Sequence, residues 1–384
     1  MVVDHLLQMR FHVLPPPHTI TRKDYSACPF TQNVLNWCKM MYARGHTIYH
    51  YGHVDSVVDC TENIPVTDDK VLEIAYPGRD WKKNVFTHDS NDHAHKTYNE
   101  RTIPELGKRK KHGDFIIAFW GWPQKQISDA HLDLVTVEPA IGTHNKPFTN
   151  HAIFASYATM HYIYGKHDVA PRWYDAVIPH YFDTNDFEFN NRPRDYFLYM
   201  GRVIGDKGVG IAIEMTKRMG VKLLVVGQGD LKFITNTVPD HVTHIQAVGP
   251  KERCEIMRNA KALIAPTYYV EPFGMVVVEA LMCGTPVLTP DWGAFVETNV
   301  HGITGYRCRN IEHFVWAGRN IDKIDRQACR DWAVNNYSLE RVGPMYQEYF
   351  VGLEKVFNGA GGFFCENDTR KELDWLNRKY PTSS

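Results

Sequence analysis

The sequence predicts an α/β protein built from two doubly wound domains that face each other across a cleft. Two series of short apolar runs alternate with amphipathic helical stretches, one in each half of the chain, and the joints between them are short. Between the two series lies a segment rich in Asp and Asn, His180 to Arg194, which contains Pro193 and reads as the domain boundary. The length of 384 residues suffices for two cores. These points predict a first domain over 1–182, a second over 183–355 and an extension over 356–384.

In the first half, Met9 to Leu14 reads as a strand, and a helix runs from Pro29 to Tyr42 with Val34, Leu35, Cys38 and Met41 at helical spacing. Arg44-Gly45 ends it, and His46 to Tyr51 is the next strand. The stretch from 85 to 112 is polar and rich in His and Lys and carries no predicted element. Further strands fall at Asp114–Phe119, Leu132–Val137 and Ala176–Pro179. The second series runs strand Tyr196–Met200, helix Gly208–Met219, strand Val221–Val226, strand Val242–Ile245, helix Lys251–Asn259 and strand Ala262–Ala265. A very apolar helix opened by Pro272 and closed by Gly284 follows, then strand Pro286–Thr289. Helices are expected at 311–319, 324–335 and 339–356, a flexible joint at Gly359–Gly362 and a last short helix at Arg370–Tyr380. No fixed-period repeat is present.

Composition narrows the function. At 43% hydrophobic and 23% charged the chain reads as an ordinary globular protein, and a net charge of −1 argues against a general polyanion binder. No apolar run is long enough to span a bilayer, and the N-terminus does not read as a secretory signal. Eight scattered cysteines with no Cys-x-x-Cys pair suggest reduced thiols and a cytoplasmic location.

The chemistry concentrates in two segments. Glu271 and Glu279 flank the start of the apolar helix, separated by ~12 Å along its axis. Between them Gly274 and Met275 offer free helix N–H groups that favour an anion. A carboxylate, an anion seat and a second carboxylate in a row suit a sugar, a diphosphate and a ribose. The bland alternative is a buried glutamate paired with an Arg or Lys. The second segment, Gly201-Arg202-Val203-Ile204-Gly205-Asp206-Lys207-Gly208, sits where a strand ends and a helix begins. Arg202 and Lys207 add a planar fork and a mobile point charge there, unless they are solvated charges on a plain glycine turn.

Together, strand-Gly-Arg-x4-Lys-Gly-helix followed by Glu-Pro-Phe-Gly-x4-Glu-Ala resembles the C-terminal domain of retaining glycosyltransferases of family 4, which have the GT-B fold. Ala176 to Thr184 resembles that family's inter-domain stretch, with His180 where Asn is usual. Leu224 to Gly229 and Cys283 to Val287 resemble two more of its landmarks. The resemblance is specific across 175–355 and weak before that. It implies C-terminal helices that return to the N-terminal domain. It also implies that Arg202 and Lys207 grip the diphosphate of a sugar nucleotide, that Glu271 contacts the donor sugar, that Gly201, Phe273, Gly274 and Met275 line the donor site, and that Glu279 accepts both ribose hydroxyls. The family needs no obligatory divalent metal, and there is no Asp-x-Asp motif. A UDP-sugar or GDP-sugar is the implied donor.

The first half departs from the family. Tyr25 to Gln32 stands where many members carry a Gly-Gly loop, so the backbone of Ser26–Cys28 or the helix start at Phe30–Thr31 is the candidate replacement. Glu138 stands where many members place a histidine near the reacting sugar, with His144 a few residues on; both are acceptor-side candidates. The run His88 to His95 reads as a solvated loop or acceptor rim rather than a metal site, and Lys108 to His112 as a surface run. Trp120 and Trp122 offer faces for an acceptor sugar or base, or simply pack between loops.

The leading expectation is a retaining transfer from a nucleotide sugar to an unidentified acceptor: glycan, lipid, small molecule or modified nucleic-acid base. No stable nucleic-acid complex is expected. The rival readings are a sugar-nucleotide epimerase, a non-catalytic sugar-nucleotide binder and a nucleic-acid-binding protein.

Overall fold

The computed structural model describes residues 8–25, 28–78, 89–357 and 371–373. The first sheet collects β1 (Arg10–Leu14), β2 (Thr47–His53), β3 (Glu62–Thr67), β4 (Phe115–Ala118), β5 (Val135–Ile141), β6 (Ala152–Phe154) and β7 (Ala176–Val177) in the order β3-β2-β1-β4-β5-β6-β7. Every pairing is parallel. Its crossovers include α1 (Pro29–Tyr42), α2 (Asp69–Ala75), α3 (His93–Arg109), α4 (Lys125–Asp129) and α5 (Tyr157–His167).

The second sheet, also all parallel, runs β10-β9-β8-β11-β12-β13. Its strands are β8 (Phe197–Met200), β9 (Leu223–Val226), β10 (Val242–Ile245), β11 (Ala262–Ile264), β12 (Val287–Pro290) and β13 (Gly305–Cys308). Between and after them lie α6 (Val209–Met219), α7 (Pro250–Asn259), α8 (Met275–Met282), α9 (Phe295–Thr298), α10 (Ile311–Arg319) and α11 (Arg326–Tyr337). A long helix, α12 (Leu339–Phe357), closes the described run.

Strand alternation explains the layering. Phe11, Val13, Phe115 and Ile117 face one side of the first sheet, where they meet Trp37 and Met41 of α1. Leu14, Ile116 and Ala118 face the other side, with Tyr98 and Leu106 of α3. The helix α12 belongs to the first of these cores. Phe350 lies 4.8 Å from Phe11 and 5.1 Å from Phe115, ring centre to ring centre. This corrects the expected boundary at 355, because the return to the first domain begins at Leu339. The apolar face of α12 was legible in the sequence, and the family resemblance implied its return to the first domain; the point at which that return begins was not legible.

The two crossings between domains lie side by side. Tyr181 belongs to the first core and Phe182 to the second, while Tyr337 belongs to the second and Leu339 to the first. Phe182 donates its N–H to the Tyr337 carbonyl at 2.9 Å, and Leu339 donates to the Phe182 carbonyl at 3.1 Å.

A second correction concerns the polar stretch 85–112, most of which is helix α3, capped by Asp92 accepting from the His95 N–H. The strands β3, β6 and β13 and the helices α2, α4, α5 and α9 also lie outside the sequence expectation. The expected joint at Gly359–Gly362, most of the expected last helix, and Ser26, Ala27 and His88 lie outside the described residues. Among the described residues no helix is long and apolar enough to cross a membrane.

A candidate active site at the domain cleft

In each sheet the strand order reverses once, at β1/β4 and at β8/β11, and open parallel sheets offer a crevice beyond the carboxyl ends of strands at such a reversal. At β8/β11 the two segments singled out in the sequence meet. The loop after β8 carries Gly201 to Gly208, and the loop after β11 carries Tyr268 to Gly274. Two backbone features hold them together. The N–H of Tyr268 donates to the Asp206 carbonyl at 2.9 Å. Gly208 has φ +73°, and a Cβ there would stand 2.0 Å from the Pro266 carbonyl oxygen, so only glycine fits.

That contact brings Lys207 to Glu271, with Nζ 2.9 Å from Oε2. The ammonium also stands 4.7 Å from the centre of the Tyr269 ring. Burial first, and the nearby Glu271 carboxylate second, raise the Tyr269 phenol above its ordinary range. Immediately beyond, Gly274 caps α8 in the left-handed conformation (φ +81°), and no side chain caps the helix. The Val277 N–H already donates to the Gly274 carbonyl at 2.9 Å, which leaves the N–H groups of Met275 and Val276 without an acceptor among the described residues and available to an anion. A Cβ on Gly274 would meet the Phe295 ring at 2.8 Å, so the tight turn requires glycine here too.

Glu279 is buried one turn and more along α8, where it pairs with Arg253 of α7. The cationic partner left open by the sequence is thus Arg253. Even so, Oε2 of Glu279 makes no well-formed hydrogen bond. Arg202 is exposed and forms no ion pair with a described residue; its carbonyl accepts from the Tyr199 hydroxyl at 2.8 Å. The structure thus brings Lys207, Glu271, Phe273, Gly274 and Met275 into one cavity with Gly201, and sets Glu279 and Arg202 outside its lining.

The opposite wall of this cavity comes from the first domain: Phe30 and Asn33 of α1, Ala140 and Gly142 after the bend in β5, and His180. The acceptor-side candidates stand apart from this lining. Glu138 is buried and accepts from the Thr149 N–H (3.0 Å) and hydroxyl (3.2 Å), and burial pushes its carboxyl up to about 7. His144 instead bridges the domains, donating from Nε2 to the Val270 carbonyl at 3.0 Å. The same loop is held by Ser156 and Thr159, whose hydroxyls both donate to the Pro272 carbonyl at 2.7 Å. Glu297 completes the seam by accepting from the Tyr157 and Ala158 N–H groups at the start of α5.

Two other sequence signals resolve into packing. His95 uses both ring nitrogens, one on Asp92 and the other accepting from the Trp120 indole. In the basic run, Lys108 pairs with Glu105, Arg109 with Glu62 and Glu105, and Lys110 with Asp133. Among the described residues one trio, His53, Asp55 and Asp69, brings possible metal ligands within 4.8 Å of one another, away from the cleft lining.

Two parallel sheets, each with one reversal of strand order, that meet across a cleft define the GT-B fold. Residues 182–327 match the family described as glycosyl transferases group 1. An uncharacterized glycosyltransferase of Methanocaldococcus jannaschii is 32% identical over 187 residues, 47% of this chain and 53% of that protein. The chain spans about half the length of the curated relatives it matches. Among solved structures, sucrose-phosphate synthase from Thermosynechococcus elongatus superposes with a TM-score of 0.67 at 16% identity, covering 90% of this chain and 99% of that one. Anabaena HepE, solved in complex with UDP-glucose, gives a TM-score of 0.61 at 14% identity over 90% of this chain and 100% of that one.

Proposed function

We propose that this protein is a retaining glycosyltransferase that moves a sugar from a nucleoside diphosphate sugar to an acceptor hydroxyl. The observation that carries the reading is the Lys207–Glu271 pair, 2.9 Å apart and just ahead of the uncapped start of α8. A cation, a carboxylate and a row of free N–H groups in one cleft match the parts of such a donor. Lys207, joined by the exposed Arg202, takes the diphosphate. The N–H groups of Gly274 and Met275 take its distal phosphate. Glu271 accepts from sugar hydroxyls, and Glu279 turns from Arg253 to the ribose diol. UDP-glucose in the Anabaena neighbour makes uridine diphosphate sugars the first donors to try.

In the reaction the bond between the anomeric carbon and the phosphate oxygen breaks, and its electron pair stays on the phosphate. The acceptor oxygen bonds to the same face of that carbon and passes its proton to the departing phosphate. Lys207 and the helix N–H groups stabilise the charge that grows there, a task for groups held in place beforehand. No separate base is required, and none of these steps calls on a metal. The boundary at Tyr181–Phe182 and the return at Leu339 divide acceptor from donor domain in this reading. A cytoplasmic location is part of this reading, in keeping with seven described cysteines that form no disulfide among themselves.

Proton NMR of the protein with UDP-glucose, then with GDP-mannose, tests the reading. Slow release of free sugar with the α configuration first formed supports a retaining transferase. An inverted ring centre on an intact donor would make the protein an epimerase, and binding without turnover across an acceptor panel would make it a sensor.

A further inference from the structure

His180 follows β7 and Pro179, one residue before the chain leaves the first core. It is 4% exposed, and its ring meets Phe273 edge-on with centres 4.8 Å apart. Neither ring nitrogen is hydrogen-bonded to a described residue, and Nδ1 is sealed from solvent. His131 of the same domain also leaves a buried Nδ1 unpartnered, but its Nε2 bonds the Ile103 carbonyl at 3.0 Å. His12, His46 and His50 are as deeply buried, and each engages both nitrogens. Burial holds the His180 pKa down to about 4, so at neutral pH the ring carries one N–H and one lone pair. A buried polar group without a partner calls for an explanation.

The surroundings supply one. His180, Phe273 and Gly274 all line the cleft. A Cβ on Gly142 would stand 3.3 Å from Nε2, so glycine there keeps the space beside that nitrogen open. Two residues earlier Ala140 is held at φ +54°, a conformation an alanine rarely adopts, and backbone strain of this kind gathers at functional sites. The hollow therefore lies between a strained turn of the first domain and the start of α8.

We infer that the imidazole of His180 hydrogen-bonds a hydroxyl of the sugar being transferred and so helps to select that sugar; this rests on the donor seat proposed above. A neutral ring with one donor and one acceptor suits a hydroxyl, which offers both. The anionic phosphates have Lys207 and the helix N–H groups instead. No described protein group satisfies the ring, and a sugar hydroxyl would complete it.

The test is titration calorimetry with UDP, UDP-glucose, GDP and GDP-mannose on wild type, His180→Phe, His180→Gln and Lys207→Ala. His180→Phe keeps a ring against Phe273 and removes both nitrogens. It should bind the free nucleoside diphosphate within about twofold of wild type and lose about tenfold in affinity for the corresponding sugar nucleotide. His180→Gln returns a polar group near Nε2 and should recover part of that loss. In unsubstituted protein labelled with 15N-histidine, the His180 ring signals should shift with the sugar nucleotide and stay put with the nucleoside diphosphate alone. A wild-type affinity ratio in His180→Phe, or ring signals indifferent to the sugar, would overturn the inference. If Lys207→Ala has lost sugar-nucleotide affinity while His180→Phe has not, the donor seat stands and only the role of His180 falls. A wild type that binds none of the four ligands sinks both.

Discussion

The two walls of the cleft are built differently. The second-domain wall contributes Lys207 and Glu271, the only charged side chains among the described residues of the cavity lining, together with the start of α8. The first-domain wall contributes Phe30, Asn33, Ala140, Gly142 and a neutral His180. One wall carries fixed charge and the other carries shape and neutral polarity. An anionic donor would then be anchored from one side, while the other side is free to differ with the acceptor. Substitutions on the two walls should accordingly fail in different ways.

The sharpest break comes from the charged wall. Lys207→Ala removes the cation and leaves Glu271 facing the diphosphate unpaired. Turnover should fall about 10²–10³-fold, some 3–4 kcal/mol, as for other single groups that stabilise developing charge. Single-turnover transfer with a labelled donor measures it. A loss smaller than tenfold would place the charge stabilisation elsewhere and end the contrast between the walls.

How far each wall was legible in the sequence follows from the same difference. Gly201 to Gly208 and Glu271 to Gly284 are contiguous in the chain, and their glycines mark the turn and the helix ends, although the helix opens at Met275 and not at Pro272 as expected. The Lys207–Glu271 pair and the uncapped helix start then follow from the ordinary geometry of a parallel sheet. The first-domain wall has no such run. The buried face of α3 includes His95, Thr97, Asn99 and Thr102, so its helical period is invisible to a hydrophobic pattern. In α5 only Thr159 and Ile163 are buried. The seam itself rests on hydroxyl and N–H contacts between α5 and the segments around Pro272 and Glu297, far apart in sequence and free of any local signature. Glu138 illustrates the cost of reading by position alone. It stands at the expected strand end, but its carboxylate is turned to Thr149.

Glu138, buried in the first domain outside the cavity lining, gives the next prediction, a stability effect. Burial raises its carboxyl to about 7 in the folded protein, above the ordinary value near 4. Between those values the folded state holds a proton that the unfolded chain has released, so this group's contribution to stability falls as pH rises from about 4 to about 7. His50 and His180, both held down to about 4, act in the opposite sense, since the unfolded chain binds their protons first as pH falls below 6.5. Glu138→Gln isolates the carboxyl. Its stability relative to wild type, read from urea unfolding, should match at pH 4 and exceed it by on the order of 3 kcal/mol at pH 8. A difference independent of pH would mean that the carboxylate is ionised in the folded protein, and the first domain would then hold a buried charge behind its neutral wall.

The smallest effect separates a bridge from a substrate contact. His144 donates to the Val270 carbonyl across the seam, next to Glu271 but outside the cavity lining. His144→Ala removes one neutral hydrogen bond, worth about 1 kcal/mol. Ser156 and Thr159 still hold Pro272, so the loop should loosen rather than detach. KM for the donor should rise about threefold to fivefold with kcat within twofold, and amide exchange should quicken at residues 268–273. His144→Ala in a Ser156→Ala background should raise KM further than the two changes predict separately, because both act on one short loop. A His144→Ala variant that loses kcat on the scale of Lys207→Ala, with exchange at 268–273 unchanged, would instead put the imidazole on the reacting groups, and the first-domain wall would then share in the chemistry.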